Sequence, residues 1–330
     1  MRAAKRLGVL AAAAGAALAL AGTALGAYAP RFLVTTSGLT GDDTPVTMTL
    51  TQSAGDRATA RVRIATPASY AATTGGSPGT ALGTAKATGP GALSGTITAD
   101  DPADYAANTC LPGIHEGVWL LELSGGGQTI RIPLFVDSGG SSSLTIESCL
   151  PSEAELGGKL ATLTLEFAAG IWKNPAARGE FVWRALLTPS GAAGPADPAA
   201  AVEARALVRQ PALLTLSGKL GKKGKIVLFG RLLAGGNAVA RVAVRLLAGR
   251  SPGSLKPVSS TRTTASGGYA FSLRLRRTTY FRTSVDVPAQ DVTRTGCKAP
   301  SSAPAGCVTA TLQPFHVLSF TSLKVTIRKR

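Results

Sequence analysis

Two pentapeptides match the Gly-x-Ser-x-Gly pattern that carries the nucleophile of many serine hydrolases: Gly75-Gly76-Ser77-Pro78-Gly79 and Gly249-Arg250-Ser251-Pro252-Gly253. In that elbow the residue after serine donates its backbone N–H to the oxyanion and opens a helix. Both copies place proline there, which has no N–H, so both are read as turns. His115 and Glu116 are the types needed for general acid–base work. Adjacent residues on a strand point to opposite faces, so a loop or rim histidine is the plainer reading. His316, between Phe315 and Val317, is read as structural. Asp42-Asp43 and Asp100-Asp101-Pro102 with Asp104 are acidic clusters. The second could ligate Ca²⁺, but it lacks the regular ligand alternation and closing glutamate of an EF-hand, and both are read as solvated turns. No spacing singles out two carboxylates for glycoside hydrolysis. The chain has only two histidines and no CxxC spacing, which argues against zinc. The expectation is a non-catalytic protein without a cofactor. The alternative is a secreted hydrolase with a carboxylate site in its first half.

The four cysteines are placed by compartment. Arg2, Lys5 and Arg6 precede an uncharged run over residues 7–29, mostly Ala, Leu and Gly, with small residues at signal-peptidase spacing. Residues 1–29 therefore read as a secretory signal peptide, with cleavage favoured near Gly26, and an uncleaved anchor is the alternative. After cleavage no transmembrane span remains, which makes the protein secreted or held at the envelope without covalent help. In an exported chain four cysteines suggest two disulfides. Local pairing is the simplest of the three arrangements: Cys110 with Cys149, and Cys297 with Cys307.

Charge divides the remainder. Residues 30–205 carry 11 Lys and Arg against 16 Asp and Glu, a net of −5. Residues 206–330 carry 21 against 2, a net of +19. An Ala/Pro/Gly stretch from Thr188 to Ala201 and then Arg209-Gln210-Pro211 mark the change. The expected organisation is a first domain over 30–208, a linker at 209–211 and a basic domain over 212–330.

Both halves alternate β-branched and polar residues between Gly-rich turns. Strands are expected near 46–51, 60–64, 92–98, 118–123, 129–136, 144–149, 160–167, 181–187 and 202–208. In the second half they fall near 213–216, 225–231, 241–247, 257–262, 269–276, 280–287 and 323–328. Ser152-Glu153-Ala154-Glu155 has capping-box spacing, but Gly157-Gly158 limits it to a turn of helix. Trp119, Trp172 and Trp183 are expected in the first core. Short strands without a long amphipathic helix mean a sandwich or barrel, and the expected fold is an all-β chain of two β-sandwich, Ig-like domains.

The run Thr263-Thr264-Ala265-Ser266-Gly267-Gly268-Tyr269-Ala270-Phe271, with Thr279-Tyr280-Phe281-Arg282 after it, resembles bacterial Ig-like and carboxypeptidase-regulatory-like (prealbumin-like) domains. The resemblance spans about residues 212–330, although the acidic residue usual in that turn is missing. It implies a non-catalytic spacer or adhesion module. The first half, through Ile64-Ala65-Thr66-Pro67-Ala68-Ser69-Tyr70 and the segment from Asn174-Pro175 to Trp183-Arg184, resembles N-terminal domains of uncharacterised secreted proteins of high-GC bacteria, a match that carries no activity.

With Val244, Val285 and Val325 inward, Arg241, Arg245, Arg282, Lys324 and Arg328 point outward. In an Ig-like strand order these strands are neighbours, so the five cations form one anion-binding patch, with Arg274 and Arg276 on the opposite sheet. The partners this implies are an anionic cell-wall polymer, an acidic polysaccharide or an anionic lipid surface. Nucleic acid is disfavoured, because export removes the usual target and no recognition helix is present.

Overall fold

Inward aliphatic residues alternating with outward polar ones build nearly every strand of the first half. The computed structural model describes residues 28–139, 142–191, 194–221, 225–275, 277–293, 309–319 and 323–326. The protein is all-β, with 61% strand and 4% helix. Its strands up to residue 210 are β1 (Arg31–Thr36), β2 (Asp43–Thr51), β3 (Thr59–Pro67), β4 (Ala71–Ala72), β5 (Ala81–Thr88), β6 (Ala92–Asp100), β7 (Gly117–Gly125), β8 (Gln128–Gly139), β9 (Ser142–Cys149), β10 (Thr162–Lys173), β11 (Gly179–Pro189) and β12 (Val202–Gln210). They join in the order β1-β2-β10-β5-β6-β7-β8-β9-β3-β11-β12, with β4 on β10.

This sheet replaces the two-sheet sandwich expected for the first half. From β2 to β12 every strand in the order has a ladder on both sides, so nothing divides it into two layers. The sheet rolls until β1 lies beside β12. Side chains close that seam: Gln210 Nε2 donates to Thr36 Oγ1, and Thr36 N donates to Gln313 Oε1 at 3.0 Å. All the inward residues form a single cluster, from Phe32 and Val34 on β1 to Ala206 and Val208 on β12. The interior is filled. A void of about 30 Å³ lies among Phe32, Met48, Ile64, Leu134, Leu165 and Leu187, with no charged group on its walls.

Three local devices shape the roll. Gly126 and Gly127, at φ 59° and 81°, form the two-residue turn between β7 and β8, a conformation that ordinary side chains resist. At Gly95 on β6, a Cβ would sit 1.7 Å from the Glu122 carbonyl oxygen, so β6 and β7 approach closely only without a side chain there. In β10 the register against β2 shifts between Phe167 and Trp172. Residues five apart face opposite sides of a regular strand, and this bulge brings both rings inward. The capping-box segment forms α1 (Glu153–Leu156), capped by Ser152 and ended by Gly157 in the left-handed conformation.

After residue 210 come β13 (Ala212–Leu214), β14 (Ser217–Leu220), β15 (Lys225–Ala234), β16 (Asn237–Ala238), β17 (Ala243–Gly249), β18 (Lys256–Arg262), β19 (Gly268–Arg274), β20 (Thr279–Val287), β21 (Gln290–Thr293), β22 (Thr309–Leu312), β23 (Phe315–Leu318) and β24 (Leu323–Val325). One sheet is centred on β15, which pairs with β13, β14, β16 and β19. A second runs β18-β17-β20-β23, with β24 also on β20. Leu228, Leu232, Tyr269 and Phe271 of the first sheet meet Val244, Leu246, Phe281 and Val285 of the second in one core. The Tyr269 hydroxyl crosses the core to Thr283 Oγ1 at 2.9 Å and also reaches the Thr215 carbonyl. Burial pushes its pKa up to about 12, against the lowering effect of the Thr283 bond.

The expected linker is not a linker. Arg209 and Gln210 are the last residues of β12, where Arg209 Nε bonds Glu180 at 2.5 Å and Gln210 is buried. The expected boundary is also crossed. β22 pairs in parallel with β12, with Leu312 beside Leu207, and β21 extends that edge of the rolled sheet. Leu207 and Leu312 are both buried and pack with Val182.

Candidate functional site

The chemistry-bearing motifs serve local structure. In the two Gly-x-Ser-x-Gly segments, Thr80 N donates to Ser77 O at 3.0 Å and Ser254 N to Ser251 O at 3.2 Å, which makes both turns. Asp101 caps the 3-10 turn Pro102–Tyr105 through Ala103 N at 2.9 Å, and Asp100 accepts from the Tyr105 hydroxyl at 2.7 Å. Among the described residues no three His, Cys, Asp or Glu side chains converge as metal ligands. Trp119, Trp172 and Trp183 are all buried in the first core.

Cys110 and Cys149 form a disulfide, with Cα atoms 6.0 Å apart, that ties the loop before β7 to the end of β9. Cys297 and Cys307 lie outside the described residues. Beside the bridge, His115 Nδ1 lies 2.9 Å from Asp137 Oδ2, and Nε2 lies 3.2 Å from the Leu111 carbonyl. Both partners can accept, so the protonated imidazole is the form that both contacts favour. Glu116 does not join them as an acid–base pair. Its N–H donates to the other Asp137 oxygen, and its carboxylate accepts from Ser138.

Burial alone would lower the His115 pKa. The Asp137 bond, the Leu111 carbonyl and the charges of Asp137 and Glu147 outweigh it, so the pKa stands above the ordinary 6.5. A raised folded-state pKa gives stability that is fully present below that ordinary value and is lost as pH rises through the raised one. Asp137→Asn is therefore expected to cost about 1 kcal/mol in mild acid and to have a shrinking effect at alkaline pH. Urea unfolding from roughly pH 5 to 9 reads this directly. An equal cost at both ends would mean that His115 is neutral throughout.

A cleft of about 810 Å³ lies where β1 and β12 meet β13 and β23, lined by Gln210, Leu213, Gln313, Phe315 and His316 among others. Among the residues lining it, His316 is the one ionisable side chain, and no carboxylate or cysteine is present.

The expected cationic patch is only partly assembled. Arg245 on β17 stands opposite Ser284, Leu247 opposite Arg282, and Lys324 opposite Tyr280, so Arg245, Arg282 and Lys324 share one outer face. Arg241 does not belong to that strand. It sits in the turn before β17 at φ 60°. Arg328 and Arg276 lie outside the described residues. The three that share the face are engaged. Arg245 pairs with Asp286 at 3.1 Å, and Asp286 also holds His316 at 2.5 Å. Arg282 Nε donates to the Ser319 carbonyl at 2.9 Å, and the Lys324 ammonium lies 5.6 Å from the Tyr280 ring centre.

The opposite outer face, on β14, β15 and β19, carries Lys219, Lys225, Arg231 and Arg274, all exposed. Between them stand Val227 and Phe229, 43% and 45% exposed. Residues 206–330 contain two Asp and no Glu, and β14, β15 and β19, the strands of this face, carry neither type. The signal for it was the apolar run Ile226-Val227-Leu228-Phe229. In a two-layer sandwich only alternate members of such a run can be buried, so two had to face water.

No known family's sequence model matches this chain, and no curated protein matches it. Among the described residues no helix is long and apolar enough to cross a membrane.

Proposed function

We propose that this is an exported, non-catalytic protein of the cell envelope or extracellular space that holds to anionic material through its basic second half. In this reading residues 1–29 are the export signal, the Ig-like, prealbumin-like sandwich after residue 211 is the binding body, and the rolled sheet is a rigid companion. The observation that carries the reading is the charge division, −5 over residues 30–205 against +19 over residues 206–330. Among the described residues, Lys219, Lys225, Arg231, Arg245 and Arg274 of that excess are exposed on a sandwich with one apolar core. A field of one sign attracts polyanions over a range set by salt, about 8 Å at physiological ionic strength. The non-catalytic part is supported by the local bonds that engage His115, Glu116, Asp100 and Asp101 in their own loops.

The test is retention of the full chain on a dextran sulfate matrix under a salt gradient. Retention at low salt and release by roughly 0.3 M are expected, where screening shortens to a few ångströms. Passage straight through at low salt would refute the reading.

A further inference from the structure

The distribution of partners over the two sandwich faces separates them. On the β17-β20 face Arg245 has a carboxylate, Arg282 a carbonyl and Lys324 a ring. On the β14-β15-β19 face Lys225 stands directly across from Arg274, and Lys219 directly across from Val227. Like charges directly opposite each other on neighbouring strands repel. Among the described residues of β14, β15 and β19 there is no carboxylate to relieve them, so an external anion placed between them would. Arg231, further along β15, is held by the Ser266 carbonyl at 3.1 Å. Phe229 lies across from the small residues Ser217 and Ala270, and its side chain is 45% exposed.

We propose that this face docks on an anionic lipid surface. Lys225 and Arg274 straddle headgroup phosphates, Lys219 adds to their field, and Phe229 and Val227 enter the boundary between headgroups and acyl chains. The inference rests on the anion-binding reading above and narrows it. A soluble polyanion would satisfy the cations but would leave the two apolar side chains in water. A charged bilayer takes both kinds of group at once. The sheet offers them on one side, as its alternation requires: Ile226 and Leu228 are buried, while Lys225, Val227, Phe229 and Arg231 are exposed.

The test uses the full chain with an environment-sensitive fluorophore on Ala270→Cys, beside Phe229, or on Ser260→Cys, on the outer face of the other sheet. Vesicles contain phosphatidylglycerol and phosphatidylcholine, or phosphatidylcholine alone, and dextran sulfate is the polymer control. The label at 270 is expected to shift to the blue with phosphatidylglycerol vesicles only, and the label at 260 is not. Phe229→Ser should weaken vesicle binding about tenfold, and Lys225→Gln with Arg274→Gln about 25-fold, at roughly fivefold per cation. Arg245→Gln with Arg282→Gln should weaken it much less. Equal shifts at both labels, or a Phe229→Ser variant that binds vesicles as the parent does, would overturn the assignment of the face. Binding to dextran sulfate without any shift on vesicles would overturn the lipid partner while leaving the anionic reading intact. Failure to bind either would overturn both.

Discussion

Trp119→Ala is expected to destabilise the protein by about 3–5 kcal/mol, the cost of emptying a large buried aromatic site. Trp119 has no exposed surface and sits in the middle of the rolled sheet. Its ring lies 5.1 Å from Phe167 and 6.2 Å from Trp172, centre to centre, and its indole N–H donates to the Thr74 carbonyl at 3.2 Å. Truncation would remove all three contacts and orphan that carbonyl. Trp172 supplies the comparison. It is as deeply buried, but its indole nitrogen has no protein partner. Trp119→Phe should therefore cost about 1 kcal/mol more than Trp172→Phe, the worth of one net hydrogen bond. Chemical denaturation with far-UV circular dichroism measures all three. Equal losses for the two phenylalanine variants would mean that the Trp119–Thr74 bond contributes nothing net.

Removing the Cys110–Cys149 bridge by double serine substitution is expected to cost about 3–4 kcal/mol. The bridge closes a loop with a sequence separation of 39, and on the chain-entropy account that constrains the unfolded chain by this amount. The effect should also reach His115. Leu111, which holds its Nε2, is the residue after Cys110, so a freed loop would loosen the imidazole and flatten the pH dependence expected of it. The denaturation midpoint of the double variant, with and without Asp137→Asn, checks both. A loss under 1 kcal/mol would mean that Tyr105–Asp100 and His115–Asp137 already hold the loop.

What could be read in advance depended on range along the chain. The capping box at Ser152 is set by residues three apart and forms as the spacing implies, and Cys110–Cys149 is the pairing that the simplest of the three arrangements gives. β5 escaped notice because its buried face is Leu82, Ala85 and Ala87, where alanine carries the alternation with too little contrast against threonine and glycine. β1 was hidden by its position at the end of the presumed leader. The parallel pairing of β12 with β22 joins residues about a hundred positions apart, and no local pattern announces it. The same limit applied to the candidate site. Composition showed that the second half is basic, and alternation showed which cations face out. Their neutralisation depends on Asp286 arriving across a ladder from Arg245, Ser319 reaching Arg282 and Tyr280 meeting Lys324, and only the assembled sheets show that.

The passage of β21 and β22 through the rolled sheet bears on the order in which the chain can finish folding. After β12 the polypeptide builds most of the sandwich, returns to line the outer edge of β12, and then goes back to the sandwich as β23 and β24. Until residue 312 is available, the rim of the first body is an unpaired strand edge, which invites association with other chains. Until residue 325 is available, β20 of the second body lacks the partners on its far side. The two bodies are thus completed by the same late stretch of chain, one after the other. A nascent chain halted after β20 would carry two open edges instead of one finished module.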